Sequence, residues 1–337
     1  TAALELSTDA GFAVAGDLSP RHGGAMDERL AVVVAAQGGV VSSRDAARVH
    51  VSAIALDALV RSGELVRVRR GAYVLRELHD AGNPEERYRL RTMAILRTRP
   101  TLDAASHHAS VLMYGVDTHG VDLSVVDVIT KVKSPRVRSG LRTHPGAGLG
   151  VATTGIHRVV RLPIALCQMV AGSGTIAAVC SMDDALHDER VTTEQLRAAA
   201  DLLPEERRDA VIRAIELTDA TCESVGETRT RFLLRDLGFS VVSQHPITNA
   251  QGFVGRVDFL VEDLVVVEFD GLVKYGGQDG RAALAAEKAR ESRIVDCGYE
   301  VVRLVWSDLG QPADVARRIR EARRRALNRR IATASAR

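Results

Sequence analysis

The stretch GRVDFLVEDLVVVEFDG, residues 255–271, decides how the carboxy-terminal third of the chain is read. Side chains alternate between the two faces of a strand. Over RVDFLV that rule sets Asp258 and Leu260 on one face, with Val257, Phe259 and Val261 on the other. Over LVVVEFDG it groups Leu264, Val266, Glu268 and Asp270, opposed by Val265, Val267 and Phe269. A three-residue loop at Glu262 to Leu264 closes the two strands into a hairpin with Asp258 directly opposite Glu268. Like charges facing each other across a sheet repel, and strands this apolar strip carboxylates of hydration. A divalent cation between them removes both difficulties, and oxygen ligands at this density suit Mg²⁺ or Mn²⁺. Asp258 and Glu268 are therefore the expected metal ligands, with Asp270 on the same edge.

Working outward, CESVGETRTRFLLRDLGF places Leu233, Leu234 and Leu237 on one side of a helix that closes at Gly238. Glu227 lies two turns before Leu234, at the edge of that apolar face. It needs a partner there, either Arg231 four residues on or a metal-bound water. Downstream, two lysines can supply a cation to the carboxylates. Lys288 lies in RAALAAEKARESRIV in line with Leu284 and Val295, a face that would turn it inward, and is the first choice. Lys274, in the loop DGLVKYGG, is the second. EVVRLVW (Glu300 to Trp306) reads as a further strand and Ala313 to Arg330 as a closing basic helix. RRIREARRRALNRR (Arg317 to Arg330) carries eight arginines against one glutamate, a stripe suited to phosphate backbones or to a solvated helix face.

From Glu223 to Leu309 the pieces ESVGETRTRFLLRDLGF, SQHP, GRVDFLV, VVVEFDGLVKY and AEKARESRIVDCGYEVVRLVWSDL occur in order. This run resembles the PD-(D/E)XK nuclease superfamily, and is most similar to the domain-of-unknown-function group related to very-short-patch-repair (Vsr) endonucleases. The resemblance implies a mixed central sheet flanked by helices, with the VDFL and VVVEFD strands as neighbours. It carries the superfamily's glutamate, aspartate and second acidic residue to Glu227, Asp258 and Glu268. Where the motif has lysine this chain has Asp270, so Lys288 or Lys274 would have to substitute. The implied activity is Mg²⁺-dependent hydrolysis of DNA to a 3′-hydroxyl and a 5′-phosphate, with Arg256, Arg290, Arg293 and tail arginines such as Arg317, Arg318 and Arg324 holding the backbone.

The other end has a different rhythm. Leu30, Val33 and Val34 form a helical stripe that stops at Gly38-Gly39. Ser42 or Ser43 caps a short helix, with Asp45 placed for a capping box. Ser52 caps a third helix that turns Leu56, Leu59 and Val60 inward and ends at Gly63. LVRVRRGAYVL then alternates as a strand pair turning at Arg70-Gly71. From GGVVSSRDAA through LVRSGELVRVRRGAYVL the segment resembles the amino-terminal winged-helix domain of AbiEi-type antitoxins. That resemblance implies a DNA-binding repressor of a toxin–antitoxin operon, with a cognate toxin as a possible partner. The expected recognition helix offers only Arg61 as a basic side chain, whereas Arg67, Arg69 and Arg70 in the wing can hold phosphates. A module that docks onto the rest of the chain is the competing reading.

Between these ends the chain is a mixed region. Glu85 to Arg97 and Glu205 to Thr218 read as helices, as does Thr192 to Ala200, and Val121 to Thr130 as a strand. His107, His108, His119, His144 and His157 show no i, i+4 pair and no nearby cysteine, so polar surface or core packing is the expected role. Overall the expectation is an α/β multidomain chain: a leader (1–25, disordered, with Met26 an alternative start), a winged helix (26–78), a middle connecting domain (84–221), a nuclease-type domain (222–310) and a basic helix and tail (311–337). Composition, 46% hydrophobic and 26% charged, is that of a globular protein. Four widely spaced cysteines argue against a zinc or disulfide framework and fit a reducing cytoplasm. No apolar run reaches the roughly 20 residues that span a bilayer. Two functions follow: a metal-dependent DNA endonuclease, or a DNA-binding regulator whose nuclease-type domain is catalytically silent. RNA is the weaker substrate choice, since no aromatic stacking platform is present. The oligomeric state is not legible.

Overall fold

The computed structural model describes residues 26–146, 149–271 and 279–335. The expected leader and Lys274 lie outside the described residues. The chain is mixed α/β with three sheets, and it forms two compact units. One comprises the residues up to Ala178 together with Thr193–Arg213, the other Val179–Thr192 together with the residues from Ala214 onward. Among the described residues no helix is long and apolar enough to cross a membrane.

The first unit opens with the winged helix: α1 (Glu28–Ala36), β1 (Val40–Ser42), α2 (Ser43–Arg48), α3 (Ala53–Ser62), β2 (Leu65–Arg69) and β3 (Ala72–Leu75). The capping box at α2 is present in full, Ser42 accepting from the Asp45 N–H and Asp45 accepting from the Ser42 N–H. Ser52 caps α3, which ends in a left-handed Gly63 at φ 88°. The strands pair in the order β1-β3-β2 over a core of Leu30, Val34, Val41, Leu56, Leu65 and Tyr73.

Next come α4 (Arg76–Ala81) and α5 (Pro84–Arg97), then β4 (Ala104–Ala105), α6 (His107–Met113), β5 (Val126–Thr130), β6 (Arg136–Arg138), β7 (Leu141–Pro145), β8 (Val151–Thr154), β9 (His157–Val160), α7 (Leu162–Ser173), α8 (Thr175–His187), α9 (Thr193–Ala200) and α10 (Glu205–Glu216). A six-stranded sheet runs β6-β7-β5-β4-β9-β8. One core joins it to the winged helix through Val40, Val74, Tyr88, Ile95, Val128 and Val159. Only the second half of the Val121–Thr130 stretch is a strand; residues 121–125 are irregular, with a turn at 123–124.

The second unit carries α11 (Val225–Asp236), β10 (Val241–Asn249), β11 (Gly252–Val261), β12 (Val265–Phe269), α12 (Asp279–Asp296), β13 (Glu300–Leu304) and α13 (Pro312–Ser335). The sheet order is β10-β11-β12-β13. The first three strands are antiparallel neighbours, and β13 lies parallel to β12, as a strand returning through the α12 crossover must. Glu262 and Asp263 both take positive φ, 52° and 57°, the twist a tight hairpin favours. The resulting pairs are Val261 with Val265, Leu260 with Val266 and Phe259 with Val267. Phe259, Val261, Val265, Val267, Val302 and Leu304 pack with Leu234 and with Val315, Ile319, Ala322 and Ala326 of α13. Val257 and Val266 pack instead with Ile294 of α12.

Candidate functional site

The β11–β12 ladder ends at the Phe259–Val267 pair, and Asp258 and Glu268 are the next residues beyond it on the two strands. The Asp258 carboxylate accepts from the Phe269 N–H at 2.8 Å. Its pKa is pushed up to about 7, first by burial and then by the charges of Glu227 and Glu268, against the pull of the Phe269 N–H and of Arg290. Three acidic side chains thus share one electrostatic neighbourhood. Glu227 is buried at the start of α11 and is fully engaged, accepting from the Glu223 N–H, the Ser224 hydroxyl and the Gln244 amide, each at 2.9 Å. Gly226 beside it makes room for a ring: a Cβ there would come within 1.9 Å of Phe269. Arg231 is not the partner of Glu227. It is wholly buried and pairs with Asp183 at 2.7 Å.

The cations differ from the expected ones. Lys288 is exposed, because α12 turns Arg290, Glu291 and Ile294 toward the sheet. Arg290 is the side chain that reaches in, donating to Glu268 at 2.8 Å and lying over Gly255, where a Cβ would come within 2.9 Å of its Nε. Arg303, which pairs with Glu268 in the β12–β13 ladder, completes the cluster. It sits 3.6 Å from Glu268 and 3.2 Å from Asp270, and it also contacts Glu287 and Glu291. Asp270, on the expected edge, therefore faces Arg303. Sequence reasoning missed Arg303, although its alternation with Val302 and Leu304 marked it as the residue facing away from the α13 core. Arg256 pairs with Glu223, and Arg293 is exposed.

Hard carboxylate oxygens close together, with Asp258 held above its ordinary pKa first by burial and then by the charges of Glu227 and Glu268, could accommodate Mg²⁺ or Mn²⁺. The residues that could hold such an ion are Asp258 and Glu268. Glu227, Asp258 and Glu268 are not among the groups of three ligand atoms lying within 4.8 Å of one another in the described residues, so Glu227 would act through water. Arg290 and Arg303 already neutralise part of the charge that such an ion would meet.

The arginines of α13 are mostly spoken for. Arg317 pairs with Asp314 and Glu321, and Arg318 with Asp308. Arg323 pairs with Glu262, and Arg325 and Arg329 with Glu300. Arg324 is exposed and has no ion pair among the described residues. The stripe therefore fastens its own helix as much as it offers charge to solvent.

In the first unit the wing arginines divide three ways. Arg67 is held by Asp57 of α3 and lies 5.5 Å from the Tyr73 ring centre. Arg69 donates to the main-chain carbonyls of Ser139 and Arg138, at 3.3 and 3.5 Å. Arg70 is exposed at the turn. The contacts of Arg69 set the wing beside β6, whose Arg136 and Arg138 are exposed together with Lys131 and Lys133. The alternation KVKSPRVR (131–138) was the available signal for this second basic element. Ile54, on α3, is 77% exposed: an apolar group on the helix that would face bases.

No curated protein matches the chain. Residues 28–76, the winged-helix segment, match the family model described as "Transcriptional regulator, AbiEi antitoxin".

Proposed function

We propose that the protein is a DNA-binding regulator of the AbiEi-antitoxin kind, which grips DNA through its winged helix and the adjoining basic strand. The match over residues 28–76 carries this reading. It is supported by the exposed basic residues Arg70, Arg136, Arg138, Lys131 and Lys133 grouped around the wing. Phosphate contacts of this kind position the protein, while α3, poor in basic groups, reads by shape and apolar contact. Antitoxins of this type would also have a toxin as partner. A mobility-shift titration with duplex DNA from the gene's own upstream region tests the proposal. Retention should weaken steeply with salt. Arg70→Ala with Arg136→Ala and Arg138→Ala should lower the log–log salt slope by about one for each phosphate that is no longer neutralised. Binding that is indifferent to salt or to these three substitutions would overturn it.

The pair Asp258 and Glu268 favours a second reading, a metal-dependent endonuclease. The ion would polarise the scissile phosphate and acidify the attacking water. Among the protein's own groups, Asp258 and Glu268 would hold it, Glu227 would orient a water through its fixed carboxylate, and Arg290 or Arg303 would offset charge on the phosphate. Plasmid nicking that requires Mg²⁺ or Mn²⁺ and disappears in Glu268→Ala supports this; the same nicking in that variant removes it. The ion pairs that occupy Glu268, and aspartate at position 270, favour gripping over cutting.

A further inference from the structure

Three residues far apart in sequence meet in the first unit. Ligand-type atoms of His107, Asp127 and His144 all lie within 4.8 Å of one another. They come from the first turn of α6 and from β5 and β7, which are parallel neighbours. His144 Nε2 is 2.6 Å from Asp127 Oδ1. The His107 and His144 rings stack with centres 4.1 Å apart. Asp127 is 1% exposed, yet its Oδ2 has no hydrogen-bond partner. His108 Nδ1 lies 3.5 Å from that atom.

A buried carboxylate oxygen without a partner is costly, by about 1–3 kcal/mol or more for a charged group. The surroundings are built to hold the histidines in place. His107 takes a left-handed φ of 51°, a strained conformation that persists only where its surroundings enforce it. Its N–H donates to Gln168 at 3.1 Å, and its Nδ1 lies 3.1 Å from the Ser106 hydroxyl. Gly172 of α7 leaves the ring its space, since a Cβ there would come within 2.9 Å of His107. A ligating imidazole usually has its second nitrogen held by such a group.

We propose that His107, Asp127 and His144 bind a divalent transition-metal ion of the zinc class, with a fourth coordination position left to water. Two imidazoles and a carboxylate suit Zn²⁺, at bond lengths of about 2.0–2.2 Å and hence ligand separations of roughly 3.3 Å. To reach that geometry the 2.6 Å contact of His144 with Asp127 must spread, while the other separations start within 4.8 Å. The ion takes the place of the proton now shared by His144 and Asp127, with the His144 imidazole proton carried on Nδ1 instead. Arg142, 3.4 Å from Asp127 and 4.0 Å from Asp122, turns to Asp122 on loading. The ion ties α6 to the β5–β7 pair, so loading raises the thermal stability of the chain.

The test uses the full-length protein stripped with EDTA and titrated with Zn²⁺ by calorimetry and with Co²⁺ by visible absorption. One equivalent should bind, with the intense d–d bands of a low-coordinate nitrogen-containing site. Binding should weaken at least tenfold in His144→Gln and stay unchanged in Glu268→Ala, which disables the other candidate centre. X-ray absorption of the wild-type zinc complex needs no variant and should show imidazole scattering. The proposal is overturned if the wild type binds neither ion, if a folded His144→Gln binds as the wild type does, if Glu268→Ala abolishes binding, or if the absorption spectrum lacks imidazole.

Discussion

At the scale of single residues, the telling one is Asp258. Its carboxylate is held to the Phe269 N–H yet pushed up to about 7 by burial and by the charges of Glu227 and Glu268. The folded chain thus holds this proton more tightly than the unfolded chain does, whose value is near the ordinary 3.8. Its influence on stability follows from that difference: full below the unfolded value, and lost as pH rises toward 7. In chelator, Asp258→Asn should melt higher than the wild type at pH 8, with the gap shrinking toward pH 4. Mg²⁺ should narrow the pH 8 gap by stabilising the wild type alone. A gap that does not change with pH, measured by thermal denaturation, would contradict the electrostatic origin.

At the scale of elements, α11 is fitted to β12 through one missing side chain. Gly226 lets the Phe269 ring lie against the helix backbone, and Trp306 meets the same ring edge-on at 5.1 Å. Gly226→Ala should cost about 1–3 kcal/mol from overpacking, read as a lowered denaturation midpoint. It should also move the Phe269 N–H that holds Asp258. Much of this element level was legible. The hairpin loop, both serine caps of the winged helix and the strand at Glu300 to Leu304 follow from parity and capping rules that act locally, whereas Val257 departs from parity and packs with Val266 and Ile294 instead of with Phe259 and Val261. The inward face of α12 was not legible. The line through Leu284, Lys288 and Val295 looked apolar, but the helix buries Ile294 and turns Arg290 and Glu291 to the acidic edge of the sheet, a choice made by partners on other strands. The histidines show the same limit in reverse, for His107, His108 and His157 are buried as core packing expects, yet their grouping was not legible. Linear spacing tests whether one helix can clamp an ion, and His107, Asp127 and His144 stand on three separate elements.

At the scale of the whole chain, sequence order and compact units do not coincide. Val179–Thr192 packs with the residues from Ala214 onward, and the Asp183–Arg231 pair explains why. Arg231 is 0% exposed, and it donates to the Leu217 carbonyl at 2.8 Å as well as to Asp183. Asp183 in turn accepts from the Thr228 hydroxyl and the Asp219 N–H. Anyone trimming the gene to isolate the carboxy-terminal sheet would naturally cut just before α11. Such a piece keeps every strand of that sheet but strands a guanidinium in its interior, a loss of about 3–5 kcal/mol from a domain whose total is on the order of 5–15 kcal/mol. A piece beginning at residue 222 should therefore be recovered insoluble or molten, without near-ultraviolet circular dichroism, whereas one beginning at 179 should unfold cooperatively. The working boundary of that half of the molecule is set by one carboxylate, and a cloning primer or a recombination event that leaves Asp183 behind takes with it a large share of the stability that holds the sheet together.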